Sequence, residues 1–274
     1  MIGGIVNMIG LLGASQYEPI VENLDERTIV STRFGDVSVL KGRISDNTVF
    51  FIRRFGWHDN KASDVVNHAA HTLAFRMLGV RRVITLNGFG GVNHDFNVGD
   101  LVVYHDYVKM LERGPTTIFF GEQRWPRANM TDPFCTEIRE TLINSARYNS
   151  NRNLHTMAVN ICVQGPHNET PAEFEAFRRL GADIVSTAIY PEVVYYRELE
   201  MCFAGLSWIT DSGSDNDEKN WVRIGVDELS SIVREAIKNI PDVSNCRCQS
   251  TWIGNESDHY NDTTSLPSWY LDIR

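Results

Sequence analysis

The chain has 274 residues, of which 42% are hydrophobic and 10% aromatic, and its formal net charge is −9. This length and apolar content suffice for one large domain with a sizeable core. An acidic chain without a cluster of Lys and Arg is poorly matched to nucleic acid or to an anionic membrane surface, so we expect neither as a partner. The opening segment MIGGIVNMIGLLG is apolar but short and lacks preceding basic residues, which predicts a buried strand rather than a signal peptide or membrane span. The expected compartment is the cytoplasm.

Short Val- and Ile-rich runs alternate with longer amphipathic segments along the chain. The runs predict strands at 4–10, 28–40, 49–53, 82–86, 100–104, 156–163, 183–188 and 202–210. The amphipathic segments predict helices at 63–78, 132–148, 171–180, 191–199 and 226–240. This alternation indicates an α/β fold whose central strands are mostly parallel.

Neither a linker nor an internal repeat divides the sequence. We assign residues 1–248 to one domain and residues 249–274, which are polar and acidic, to a C-terminal tail that forms a mobile arm or an oligomer contact. The segment 112–132 is rich in Gly, Pro, Thr and Arg and predicts a long excursion, a type of loop that is often functional.

The five cysteines predict free thiols. Cys135, Cys162 and Cys202 are isolated in the sequence, which favours buried single thiols. Cys246 and Cys248 form a C-x-C pair that could be redox-active or could bind metal with partners. Because no second C-x-C or His pair lies nearby in the sequence, we expect reduced thiols and no metal site.

Four segments with glycine or arginine lie where predicted strands end. Glycine lets a backbone approach a ligand, and an arginine at a strand end can hold an oxyanion with two hydrogen bonds or simply be solvated. In the fourth segment, Glu169 begins a helix, where it either favours the helix dipole or accepts hydrogen bonds from a ligand. The segments are IGLLGAS (9–15), RRFGWH (53–58), LNGFGG (86–91) and QGPHNETPAE (164–173).

Together with ITDSG (209–213), the segments GPHNETPAE (165–173) and LGADIVSTAIYPEVV (180–194) resemble the purine nucleoside phosphorylases and 5′-methylthioadenosine phosphorylases. The resemblance runs from the first strand to the last long helix. MTDPFC (130–135) is similar to the methylthioadenosine branch, whereas GPHNETPAE is closer to the inosine/guanosine branch. The resemblance implies a single domain with a mixed sheet flanked by helices, a homotrimer, and no metal or organic cofactor. It also implies cleavage of a purine N-glycosidic bond by attack of phosphate at C1′ of the sugar.

The resemblance assigns roles to three carboxylates. Glu192 matches the family's sugar-side glutamate, and Asp211 matches the purine-side position; these are the predicted catalytic residues. An aspartate at 211 suggests a 6-aminopurine and, if burial raises its pKa, a protonated carboxyl that donates toward N7 of the leaving base. Glu169 matches a purine-contacting glutamate of the 6-oxopurine branch, which leaves the base preference open. The predicted substrate-binding set is Glu169, Glu192, Asp211, Thr187, His68 and Asn168.

His68 lies in VVNHAAH (65–71), where the methylthioadenosine branch has a tyrosine, so it either lines the sugar pocket or is a structural histidine of the helix. That branch accepts an apolar group at the 5′ position of the sugar. Because His68 and His71 replace its residues here, the sequence leaves the 5′ part of the pocket undefined.

The phosphate site departs from the family pattern. Leu12 and Ala188 stand where the family has hydroxyl residues, and Phe55 stands where a histidine follows the arginine. Losing two hydroxyls and an imidazole at a dianion costs roughly 4–8 kcal/mol, which weakens phosphate binding by at least about a thousandfold. The residual anion site consists of Arg54, Asn87, Gly88 and Ser15.

Four functions follow. The leading one is a purine nucleosidase that uses water, positioned by His58, His68 or Glu192, to cleave a nucleoside such as adenosine or 5′-methylthioadenosine. The second is phosphorolysis with an anion site rebuilt from Arg53, Arg54 and Asn87. The third is a non-catalytic nucleoside-binding or assembly protein, and the fourth is an enzyme for a modified nucleoside.

Overall fold

A large mixed β-sheet forms the centre of the molecule in a computed structural model that describes residues 7–58, 61–111, 114–123, 125–212, 221–252 and 266–273. The strands in this part are β1 (Met8–Gly13), β2 (Thr28–Thr32), β3 (Gly35–Ile44), β4 (Asn47–Arg53), β5 (Arg82–Gly91), β6 (Leu101–Val102), β7 (Asp106–Lys109), β8 (Leu154–His155), β9 (Val159–Cys162), β10 (Ile184–Ser186) and β11 (Cys202–Ser212). The helices are α1 (His68–Met77), α2 (Thr136–Asn149), α3 (Pro171–Arg179), α4 (Glu192–Glu198), α5 (Val226–Lys238) and α6 (Ser268–Leu271).

Strand β5 is the centre of the sheet. It pairs in parallel with β1 and β11 and antiparallel with β10, and the main path of the sheet runs β2-β3-β4-β1-β5-β10-β9-β7. The first residues of β5 and most of β1 and β11 are buried on both faces, as expected for parallel strands covered by helices. The predicted α/β fold, with a single domain and a mixed sheet flanked by helices, is confirmed.

Two predicted strands have different bounds. The single strand predicted at 28–40 is a hairpin of β2 and β3, because residues 33–34 form a turn in which the Thr32 hydroxyl donates to the Gly35 carbonyl at 2.7 Å. Strand β5 continues to Gly91, five residues beyond the predicted end. It does so because β11 pairs with it along its whole length, from Cys202 opposite Arg82 to Ser212 opposite Gly91.

The helix predicted at 63–78 begins later, at His68. A short 3-10 turn occupies Ser63–Val65, and the Asn67 side chain then accepts a hydrogen bond from the Ala70 amide at 3.1 Å, which fixes the start of α1. None of the helices in the described part of the chain combines the length and the apolar character that a membrane crossing requires.

The described parts of the predicted excursion and tail pack against the body. In the excursion, Ile118 and Phe119 are buried, and the Ile118 amide donates to Glu198 of α4 at 2.8 Å. In the tail, Thr251 and Tyr270 are buried as well. In these residues the predicted C-terminal tail therefore does not extend from the body as an arm.

Candidate active site

A cavity of about 290 Å³ opens at the carboxyl ends of β1, β5, β10 and β11. Crevices at this edge of an α/β sheet are the usual ligand sites, because the strand ends and the loops after them converge there. Most lining residues lie at or just after the ends of strands or in segment 166–169. The full set is Ala14, Tyr17, Phe55, Ser63, Leu86, Asn87, Gly88, Phe89, Gly90, Pro166, His167, Asn168, Glu169, Val185, Ser186, Thr187, Ala188, Thr210, Asp211 and Trp221.

Four predicted substrate residues lie together on this wall: Asn168, Glu169, Thr187 and Asp211. Burial raises the pKa of Asp211, a shift that the contact with Thr210 opposes. Burial also raises the pKa of Glu169; its own backbone amide lowers it, and the charge of Asp211 raises it further. Two carboxyls with raised pKa values in one cavity each hold a proton more tightly than an exposed carboxyl does.

The Thr210 hydroxyl lies between two acceptors. It is 3.0 Å from the Phe89 carbonyl oxygen and is also placed to donate to the Asp211 carboxyl. A hydroxyl has a single proton, so it serves one of these acceptors at a time. When it donates to Asp211 it stabilises the ionised carboxylate, which is why this contact opposes the rise in pKa caused by burial.

Local sequence places Asn168 and Glu169. Gly165 has φ +61°, and a Cβ there would lie 2.6 Å from the Thr187 side chain, so glycine is required before the turn. Directly after Glu169, Thr170 and Glu173 form a capping box: the Thr170 hydroxyl accepts from the Glu173 amide at 3.2 Å, and Glu173 accepts from the Thr170 amide at 2.7 Å. The segment between the glycine and the helix is thereby held against the cavity.

Glu192, Arg54 and His68 form a buried cluster of charged and polar side chains. None of the three lines the cavity; all are buried, and Glu192 is 0% exposed. The Glu192 carboxylate forms an ion pair with the Arg54 guanidinium and lies 2.7 Å from Nδ1 of His68. Burial by itself raises the pKa of Glu192, but the charge of Arg54 and the contact with His68 outweigh it and hold that pKa at about 2. Both contacts are made by Oε1, and the second carboxylate oxygen, Oε2, is buried without a hydrogen-bond partner among the described residues. A ribose hydroxyl that reached Oε2 could therefore be bound without breaking the pairing.

Thr85 connects the buried ion pair to the cavity wall. Its hydroxyl oxygen accepts from Arg54 at 2.7 Å and from the Asn87 side chain at 2.9 Å, and it donates to the Leu12 carbonyl at 3.2 Å. Asn87 lines the cavity, so two hydrogen bonds through Thr85 link Arg54 to the cavity wall.

The predicted anion end of the cavity has few anion ligands. Phe55, Asn87, Gly88 and Ala188 line it, but the described lining residues include no lysine or arginine. Gly88 is tightly fitted, because a Cβ there would lie 2.4 Å from the Thr210 side chain. Ser15, another residue of the predicted anion site, lies outside the lining, in the 3-10 segment Ser15–Ile20.

Arg53, the other arginine of the rebuilt anion site, is also engaged elsewhere. It forms an ion pair with Glu18 and lies 4.0 Å from the centroid of the Trp57 ring. His58, a predicted water-positioning residue, does not line the cavity.

Several lining residues were not predicted from the sequence, among them Tyr17 and Ser186. Burial raises the pKa of Tyr17 to about 12, so its phenol stays protonated, and its ring packs edge-on against Trp208. The Ser186 hydroxyl donates to the Ala188 carbonyl at 3.0 Å. The position of Tyr17 shortly after the first strand could have indicated a cavity residue. No feature of the sequence around Ser186 does so.

The predicted free thiols are confirmed, and Cys135, Cys162 and Cys202 are buried as expected. Cys135 and Cys202 are not isolated in space, since their sulfur atoms and those of Cys246 and Cys248 all lie within 4.8 Å of one another. Only the tertiary structure supplies the C-x-C pair with partners. Cys162 is a separate buried thiol.

Comparison with known proteins identifies the class to which this fold and cavity belong. The family model described as the phosphorylase superfamily matches residues 8–238. The chain belongs to this superfamily and is a glycosyl-bond-cleaving enzyme. The predicted resemblance is therefore confirmed.

Several individual proteins are similar to the chain. The chain is 33% identical, over 90% of its length and 98% of the relative's, to a probable S-methyl-5′-thioinosine phosphorylase of Methanopyrus kandleri. It is 31% identical to two proteins of Pyrococcus furiosus: a 6-oxopurine nucleoside phosphorylase, with 88% and 96% of the chains covered, and an S-methyl-5′-thioadenosine phosphorylase, with 88% and 95% covered. A methylthioadenosine phosphorylase from an antarctic soil metagenomic library shares the fold, with a TM-score of 0.81 and 22% identity over 90% and 91% of the chains.

Proposed function

We propose that the protein hydrolyses the N-glycosidic bond of a purine nucleoside, with a 6-aminopurine as the leaving base, as in adenosine or 5′-methylthioadenosine. The observation that carries this proposal is the cavity itself, which brings Asp211 and Glu169 to one wall and has no arginine or lysine among its described lining residues. The names of these relatives, which refer to phosphorylases of purine nucleosides or of their 5′-methylthio derivatives, support the substrate class.

Asp211 is the proposed general acid. As the bond between C1′ and the purine nitrogen breaks, its electron pair moves onto the base, and a proton from Asp211 at N7 neutralises the developing charge. The sugar becomes positively charged at C1′, as in other glycoside cleavages, and a water oxygen then bonds to C1′. The water proton is returned to the carboxylate or to solvent, so the products are the free base and the free sugar.

Glu169 is the proposed base-recognition residue. Two nearby carboxyls do not both ionise readily, so a proton on Asp211 favours an ionised Glu169. An ionised carboxylate only accepts hydrogen bonds and thus suits the exocyclic amino group of a 6-aminopurine. It would also accept from N1–H of a 6-oxopurine, so comparing adenosine with inosine tests this part of the proposal.

Water is the proposed nucleophile because the cavity is poorly equipped for a dianion. Arg54 is paired with Glu192, and the apolar side chains of Phe55 and Ala188 line the cavity. An apolar wall without cationic partners disfavours a phosphate dianion by several kcal/mol but admits a neutral water molecule.

Phosphorolysis is the second candidate, and the relatives' names favour it. In that case Arg54 would have to exchange Glu192 for phosphate, and Asn87 and the Gly88 amide would complete the site. The products would then be the free base and a sugar 1-phosphate.

The deciding experiment follows product formation from 5′-methylthioadenosine, adenosine and inosine by chromatography, with and without millimolar phosphate. We expect free sugar at a rate that phosphate does not change, with both adenine nucleosides preferred over inosine. A strict requirement for phosphate and release of sugar 1-phosphate would replace water by phosphate as the nucleophile. Absence of turnover for all three nucleosides would contradict the proposal.

A variant that restores phosphate ligands sharpens the test. Phe55→His combined with Ala188→Ser adds an imidazole and a hydroxyl at the cavity wall. If their absence is the reason for hydrolysis, the double variant should gain phosphate-dependent formation of sugar 1-phosphate that the parent lacks. If the parent already forms sugar 1-phosphate at the same rate, the missing ligands are not decisive.

A further inference from the structure

Four cysteines from three separate segments converge outside the candidate active site. Cys135 immediately precedes α2, Cys202 is the first residue of β11, and Cys246 and Cys248 flank a single residue near the C-terminus. Their sulfur atoms all lie within 4.8 Å of one another, and the sulfurs of Cys202 and Cys246 are 3.4 Å apart. None of the four lines the 290 Å³ cavity.

We propose that these four cysteines bind one zinc ion as a structural site. Tetrahedral zinc holds thiolate sulfurs at about 2.3 Å, which places the sulfurs about 3.8 Å from one another. The observed sulfurs, all within 4.8 Å of one another and 3.4 Å apart for Cys202 and Cys246, lie within about 1 Å of this spacing. Four protein ligands leave no open position on the metal, so the site holds segments together rather than activating water.

The surroundings match the charge of such a site. One Zn²⁺ with four thiolates carries a net charge of −2, and the buried guanidinium of Arg197 lies 3.3 Å from the sulfur of Cys248. The Ser244 hydroxyl lies 3.0 Å from the sulfur of Cys246 and 3.1 Å from a carboxylate oxygen of Glu137, so its one proton can be donated to a thiolate at Cys246 in place of Glu137. Charged and hydrogen-bonding groups next to the ligands are the usual way in which proteins stabilise metal thiolates.

An entry path for the ion is also present. Cys135, Cys202 and Cys248 are buried, whereas Cys246 is half-buried. Cys246 and Cys248 both border a cavity of about 420 Å³. Binding needs no oxidant, since Zn²⁺ replaces the protons of the four thiols and these are released to solvent.

Zinc at this position would fasten the C-terminal segment to the centre of the fold. Cys202 begins the strand that pairs with β5, and Cys135 adjoins the start of α2. Removing the ion would leave the segment 240–252 held by weaker contacts, such as the hydrogen bond from Ser244 to Glu137 at 3.1 Å.

The test uses the full chain purified under reducing conditions. Metal content is measured by mass spectrometry, and the reduced, chelator-treated protein is then titrated with Co²⁺, whose absorption reports tetrahedral thiolate ligation. We expect about one zinc per chain as isolated and saturation at about one Co²⁺ per chain, with intense thiolate charge-transfer bands.

Two variants distinguish this cluster from other thiols. Cys246→Ser should lose the bound metal, whereas Cys162→Ser, which removes a buried thiol outside the cluster, should retain it. Failure of the reduced wild-type chain to bind Co²⁺, or equal loss of metal in both variants, would overturn the proposal. A second sample of the wild type is purified without reductant. If it has only one titratable thiol, the four cysteines form disulfides, which would also overturn the proposal. The wild-type titration decides the question even if Cys246→Ser does not fold.

Discussion

At the scale of single residues, two carboxyls have opposite electrostatic environments. Asp211 is on the cavity wall, where burial raises its pKa. Glu192 is fully buried, and Arg54 and His68 lower its pKa to about 2. Environments that separate the pKa values of two carboxyls commonly mark one as an acid and the other as a fixed charge. Asp211 is therefore suited to donating a proton, and Glu192 to holding Arg54 and His68 in place.

Replacing Asp211 by Asn keeps the shape of the side chain but removes its transferable proton. We expect kcat to fall about 10²- to 10⁴-fold, with a much smaller change in KM. Steady-state kinetics with 5′-methylthioadenosine measure both constants. The matched control is Asp46→Asn, in the exposed turn between β3 and β4, which should leave kcat unchanged. Equal losses in the two variants would contradict a role for Asp211 in proton transfer.

The pH profile provides a second check on Asp211. The acid form is the active one, so kcat of the wild type should fall as pH rises through the raised pKa of this group. The residual activity of Asp211→Asn should lack this limb. A wild-type profile that rises with pH through the neutral range would assign proton donation to another group.

Removing Arg54 would leave the buried Glu192 without its main partner. We expect Arg54→Met to reduce the free energy of unfolding by about 3–5 kcal/mol, because an unpaired buried charge is very unfavourable. Adding Glu192→Gln should restore part of this loss. Urea unfolding of the three proteins measures the effect, and Arg179→Met, which breaks an exposed ion pair with Glu175, is the control with a change under about 1 kcal/mol. Similar losses for both arginines would show that Arg54–Glu192 is not a structural pair.

The same ion pair predicts acid sensitivity. The pKa of Glu192 is about 2 in the fold, below its usual value of 4.5, so the native state binds this proton less readily than the unfolded chain. Its stabilisation is fully present above pH 4.5 and is lost as pH falls toward 2, by roughly 3 kcal/mol. Unfolding measured across this pH range should show a steeper decline for the wild type than for Glu192→Gln.

At the scale of elements, the start of α3 affects both the stability of the fold and the position of two cavity residues. Its capping box follows directly after Asn168 and Glu169, which line the cavity. Because the two residues lack regular structure of their own, the helix start determines where they lie.

Replacing Thr170 by Ala removes one half of the capping box. We expect a loss of about 1 kcal/mol in the free energy of unfolding, together with a higher KM because Glu169 is held less firmly. Thermal unfolding and steady-state kinetics measure the two effects. Ser231→Ala, on the exposed face of α5, is the control and should change stability by no more than about 0.5 kcal/mol and leave KM unchanged. An unchanged KM for Thr170→Ala would show that the turn holds Glu169 without the cap.

At the scale of the whole molecule, the described residues 249–252 and 266–273 pack against the body. Tyr270 of α6 is fully buried and packs edge-on against Phe119, whereas its neighbour Leu271 is 44% exposed. The segment 266–273 thus packs against Phe119 of the excursion that follows β7.

Truncating Tyr270 to Ala should reduce the free energy of unfolding by about 3–5 kcal/mol, as expected for a large buried aromatic side chain. Leu271→Ala is the matched control on the same short helix and should cost under about 1 kcal/mol. Urea unfolding compares the two variants. If both are equally mild, the segment 266–273 contributes little to stability, as the original prediction of a separate tail implies.

Sequence patterns predicted the elements whose character is local. The α3 helix was predicted to within one residue because ETPAEFEAFRRLG contains its own start and stop signals. Strand β5 was predicted too short because its last residues are held by pairing with β11, which is more than a hundred residues away in the chain. Asp211, Glu169, Asn168 and Thr187 were found from motif resemblance, and the cavity contains all four.

The sequence by itself determined the α/β class, the superfamily and four polar residues of the cavity wall, because these depend on periodicity and on short contiguous motifs. Only the tertiary structure decided that Arg54 is paired with Glu192, across 138 positions of the chain, rather than facing the cavity. It also brought Cys135 and Cys202 to the C-x-C pair. The physical reason is the same in both cases: buried charges and clustered thiols take their partners from whichever segments fold against them, and the spacing of residues along the chain does not encode those distances.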